Sequence, residues 1–151
     1  MQQKDVLFVG VSDMHSGGST ALCLNRLWQG KHNNHTPTRQ QREMYAHFET
    51  CIAEVRAARK GKRVVLVHNG DAIDGVHHHS PQAITLLKDE QIEIHTELMD
   101  VFMRGIGWAG GDLLYYTYGT ECHVGDKEER CAADLGAVEN RDGGMSSIGY
   151  P

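Results

Sequence analysis

A chain of 151 residues, 40% hydrophobic and 23% charged, has room for one domain with a real core and too little for two. Its formal charge of −5 and isoelectric point near 6.0 argue against broad electrostatic attraction to nucleic acid or to an anionic membrane. Phosphate would then need a local cationic site, a bound metal included.

Val6 to Val11 is a continuous apolar run of strand length, rich in β-branched residues and closed by Gly17-Gly18, and reads as a buried strand. Ser19 to Trp28 carries Leu22, Leu24 and Leu27 and is expected to form a short helix. Gln29 to His35 is polar and reads as loop, with His32 and His35 solvated. Thr36-Pro37 offers an N-cap and a first-turn proline, and Met44, Phe48, Ile52 and Val55 then repeat at helical spacing toward a stop at Gly61. Arg63 to His68 is a second buried strand. Ser80-Pro81 repeats the cap-plus-proline start, and Ile84, Leu87, Ile94, Leu98 and Val101 carry an apolar stripe to Gly105. His47 and His95 fall on these two helices as surface residues. Leu113 to Tyr118 is a third strand, and Lys127 to Val138 a last short helix. Residues 1–138 form the domain in this reading, and the Gly- and Ser-rich stretch 139–151 a loose tail.

Strands separated by helices predict an α/β fold with a mainly parallel sheet and flanking helices, and such sheets bind ligands beyond the carboxyl ends of their strands. Three polar motifs fall there: Asp13 and His15 after the first strand, Asp71 and Asp74 after the second, Glu121 and His123 after the third. In extended backbone Asp13 and His15, two residues apart, project from one face. Carboxylates crowded at one edge repel unless a cation sits among them, so the arrangement predicts a metal. Carboxylate with imidazole suits a borderline divalent ion such as Mn, Fe, Zn or Ni. A central carboxylate, for which Asp71 is the candidate, can bridge two ions about 3.5–4 Å apart that clamp a phosphoryl group. His123 is the natural proton donor, since imidazole titrates near neutral pH. His77-His78-His79 also suggests metal, but three adjacent loop residues cannot all reach one ion. Cys23, Cys51, Cys122 and Cys131 lack C-x-x-C spacing and read as reduced thiols. The apolar start is too short for a signal peptide, and no window approaches the ~18 apolar residues of a membrane span, so a cytoplasmic protein is expected.

Ser12-Asp13-Met14-His15, then Asn69-Gly70-Asp71-Ala72-Ile73-Asp74-Gly75, then Gly119-Thr120-Glu121-Cys122-His123 resemble the first three motifs of the calcineurin-like metallophosphoesterases, Asp-x-His, Gly-Asp-x-x-Asp and Gly-Asn-His-Glu/Asp. The resemblance covers about residues 5 to 126 and is nearest to forms found in bacteriophages. It implies an α/β/β/α sandwich, a centre of two divalent metal ions, and hydrolysis of phosphomonoesters or phosphodiesters by a metal-bound hydroxide. Asp13 and His15 would bind the first metal, Asp71 would bridge, Glu121 would supply an oxygen ligand, and Asp74 would support the site from behind.

The family's asparagine falls on Thr120, and its later histidine ligands have no counterpart, because no histidine follows His123. The second sheet of the sandwich would be missing as well. The chain is therefore expected to be an amino-terminal portion whose exposed sheet surface favours self-association. The alternative is a non-catalytic metal-binding or interaction fragment that needs a partner or its carboxyl half.

Overall fold

The computed structural model describes residues 5–76, 82–120, 128–135, 137–139 and 145–148. In chain order the elements are β1 (Val6–Val11), a short pair β2 (Trp28–Gln29) and β3 (Asn34–His35), α1 (Arg39–Arg59), β4 (Arg63–Asn69), α2 (Lys88–Ile106), β5 (Leu113–Thr117), α3 (Glu128–Asp134), β6 (Ala137–Glu139) and β7 (Met145–Ile148). β1, β4 and β5 form the expected parallel sheet, with Phe8, Val65 and Leu113 in one row and Val11 level with His68. β7 then joins β5 antiparallel, and β6 joins β7. The stretch expected to be a loose tail thus contributes a strand, and the last helix stops at Asp134 instead of running to Val138.

β2 and β3 pair antiparallel across the stretch expected to be loop, β2 starting at Trp28, the last residue of the expected helix. His32 is exposed there, whereas His35 is half-buried with Nε2 2.8 Å from the Gln41 side-chain oxygen.

α1 packs on α2, and α2 on α3, so the helices share a layer. Buried Leu98, Phe102 and Ile106 of α2 meet Val64, Leu66 and Leu114 of the sheet in the core, while Phe48 of α1 lies against Phe102 with ring centroids 5.9 Å apart. The opposite sheet face is open at its margin. β1 pairs only with β4 among the described residues, and Phe8 is 74% exposed. β1 is therefore not the buried strand expected: Leu7, Val9 and Val11 are half-buried on one side and the alternate residues are exposed.

Helix starts differ from the sequence reading for local reasons. α1 is capped by Thr38 rather than Thr36. The Thr38 hydroxyl accepts from the Gln41 backbone at 3.2 Å, and the Gln41 side chain accepts from the Thr38 backbone at 3.0 Å, a reciprocal capping box. α2 begins at Lys88, not Ser80. Residues 82–87 instead strap the loop after β1, with Ser19 donating to Gln82 O and Ile84 to Gly17 O. No helix forms over Ser19 to Trp28, where the Ala21 carbonyl instead accepts from the Gln41 side chain at 3.1 Å.

At the other end of the sheet, Asp112 gathers three elements. Its carboxylate accepts from the backbone of Val64 at 2.8 Å and Ala109 at 2.9 Å, and lies 2.8 Å from the Arg59 guanidinium at the end of α1.

Candidate metal centre

β1 and β4 end level with each other, and the chain beyond them stays zipped. Asp13 donates to Gly70 O, His15 to Asp71 O, Ser16 to Ala72 O, and Asp74 back to Ser16 O, at 3.0–3.2 Å. The third loop closes on this pair at Gly70, whose φ is +74°; a Cβ there would lie 2.7 Å from Gly119 Cα. Only glycine fits a left-handed backbone this close to another chain segment.

Asp13, His15 and Asp71 converge, with ligand atoms all within 4.8 Å of one another. All three have positive φ, 53°, 44° and 53°. The extended-strand geometry read from the sequence is therefore not what joins Asp13 to His15. Each sits in left-handed backbone, tolerated best by Asp, Asn and His and concentrated in proteins at functional sites. Asp71 is buried at 9% exposure, Asp13 is exposed and His15 half-buried. The donor set, two carboxylates and an imidazole, fits a borderline divalent ion.

Neighbouring side chains fix these groups. Thr120 donates to Asp71 Oδ1 twice, from its backbone at 2.7 Å and its hydroxyl at 2.9 Å. The Asp74 carboxylate lies 3.7 Å from His15 Nδ1. Gln91 on α2 bonds both N and O of Gly75, at 2.8 and 3.1 Å, and so anchors the loop that carries Asp74. Glu121, His123 and the His77–His79 run lie outside the described residues.

Two histidines missed as site residues lie directly behind the cluster. His68, the last inward residue of β4, is fully buried, and neither ring nitrogen has a hydrogen-bond partner among the described residues. Burial pushes its pKa down to about 4, against the opposing pull of Asp13 and Asp71. Its ring stacks on Tyr116 at 4.7 Å and meets His95 edge-on at 5.0 Å.

His95, expected at the surface, is also fully buried, with Nε2 2.7 Å from the Tyr116 hydroxyl and Nδ1 3.4 Å from Ser16 Oγ. Burial, then the neighbouring His68, holds its pKa well below the usual imidazole range. The available signal was its position, four residues after Gln91 and three before Leu98, on the buried stripe of α2.

Comparisons with family models, curated proteins and solved structures returned no match. Cys23, Cys51 and Cys131 are free thiols, and no helix among the described residues is long and apolar enough to cross a membrane.

Proposed function

We propose that this chain is a metallophosphoesterase domain of the calcineurin-like type, acting on phosphomonoesters or phosphodiesters. The observation that carries the reading is the meeting of Asp13, His15 and Asp71 in strained backbone beyond the parallel strands. Asp13 and His15 would hold a first divalent ion, with Asp71 available to share it with a second. Glu121, placed by motif order alone, is assigned to that second ion.

Ions held there polarise a phosphoryl oxygen and bring a water's pKa toward about 7. The protein's own groups set the geometry. Thr120 fixes the Asp71 carboxylate, and the Asp74 carboxylate stands 3.7 Å from His15 Nδ1, where it favours the imidazole electrostatically. During hydrolysis the bond from phosphorus to the leaving oxygen breaks as one to the water oxygen forms. His123, assigned from its motif, gives a proton to the leaving oxygen.

The test is turnover of bis(p-nitrophenyl) phosphate and p-nitrophenyl phosphate by the full chain with added Mn2+. Hydrolysis abolished by Asp71→Asn supports the enzyme. Metal binding without turnover of either ester favours the alternative, a non-catalytic metal-binding fragment.

A further inference from the structure

A cleft of about 800 Å3 opens between β1, whose outer edge no strand among the described residues pairs, and the inner face of α1. Its walls are mostly apolar, with Val9 and Val11 from the strand, Met44, Phe48 and Val55 from α1 and Phe102 from α2, beside the polar Ser12, Thr20 and Gln82. Asp13, His15 and Asp74 also line it, so the apolar space reaches two of the three cluster residues, while Asp71 lies outside its lining. The volume falls within the roughly 300–1,000 Å3 of ordinary small-molecule sites, which are mostly apolar with a few polar groups that fix orientation.

Among the described residues no lysine or arginine lines the cleft, and the chain carries a formal charge of −5. A polyanion passing through would meet no countercharge beyond what the cluster binds. One phosphoryl group is the most that this arrangement can neutralise, and whatever is attached to it must prefer apolar walls.

We infer that the cleft receives the alkyl or aromatic portion of a small phosphoester whose single phosphoryl group meets the Asp13–His15–Asp71 cluster. The inference rests on the phosphoesterase reading and narrows it, setting aside nucleic-acid strands and polyphosphates. A burial gain of ~0.8 kcal/mol per methylene corresponds to about a fourfold gain in affinity for each methylene that enters.

The experiment uses the full chain with Mn2+ and calorimetric titration of inorganic phosphate, then ethyl, butyl and hexyl phosphate. Affinity is expected to climb at each step, by up to about fourfold per methylene. Cys51, half-buried in the cleft wall, supplies two further readouts. Cys51→Phe should weaken hexyl phosphate at least tenfold more than it weakens inorganic phosphate. In the unmutated protein, hexyl phosphate should slow alkylation of Cys51 by iodoacetamide, followed by peptide mass spectrometry, where inorganic phosphate does not.

A flat series with phosphate binding intact overturns the inference and leaves the phosphoesterase reading standing. So does a flat series accompanied by concentration-dependent dimerisation, which would give the cleft to a second copy. Failure of every member, inorganic phosphate included, removes the phosphoesterase reading and this inference with it.

Discussion

Thr120 donates two hydrogen bonds to the same oxygen of Asp71, one from its backbone and one from its hydroxyl. The third loop thereby fixes a buried carboxylate contributed by the second. Groups that orient a metal ligand from behind are worth about 10–100-fold in metal affinity. Thr120→Val keeps the shape and the backbone bond and loses the hydroxyl. Mn2+ affinity is expected to fall by about tenfold with the melting temperature little changed; an unaltered affinity would show that Thr120 does not position the ligand.

Gly70→Ala probes the same junction through the backbone. The added methyl meets Gly119 Cα at 2.7 Å and Gly119 N at 3.0 Å, both main-chain atoms, at a φ of +74°. No side chain can swing away to relieve the clash. Strain of this kind costs about 1–3 kcal/mol, so the variant should melt lower and bind Mn2+ more weakly together. A variant as stable as the parent would mean that the third loop does not pack there.

The same junction marks where the sequence stops being legible. The apolar runs at Val6 to Val11, Arg63 to His68 and Leu113 to Tyr118 did become the parallel strands, and Asp13, His15 and Asp71 did meet, because strand ends in register must bring their loops together. Hidden from the sequence were the left-handed turns at all three residues, which depend on hydrogen bonds between loops more than fifty residues apart. Nor did the sequence show that Ser19 to Trp28 would stay non-helical, with Ser19 bonded to Gln82 and Ala21 to the distant Gln41 side chain. His95 reads as polar in isolation; its place three residues before Leu98 was the one hint, and its bond to Tyr116 in the core lies beyond what local sequence carries.

His68 gives a pH signature. Unfolded, it takes up a proton near pH 6.5; folded and buried, not until about pH 4. Between those values the unfolded chain binds more protons, so stability is complete above pH 6.5 and declines as the pH falls toward 4. The shift corresponds to roughly 3 kcal/mol. Thermal melts in chelator from pH 7 to pH 4.5 should show a steep loss that is shallower in His68→Leu. Parallel curves for the two proteins would count against a neutral, buried His68.

Asp112→Ala should be among the most destabilising single changes. It strands the largely buried Arg59 guanidinium and the backbone donors of Val64 and Ala109 together. Breaking one side of a buried pair costs about 3–5 kcal/mol. Denaturant titration should show that loss without a proportionate change in Mn2+ affinity, because Asp112 lies at the opposite end of the strands from the metal cluster.

The most direct measurement is Mn2+ titration of the full chain and of Asp71→Asn, with free Mn2+ followed by electron paramagnetic resonance. Both proteins keep every histidine, the His77–His79 run included, so weak binding elsewhere is common to both. Asp71→Asn is expected to lose more affinity than the roughly 10–100-fold attached to an outer-shell partner. Superimposable isotherms would contradict a metal held by Asp13, His15 and Asp71.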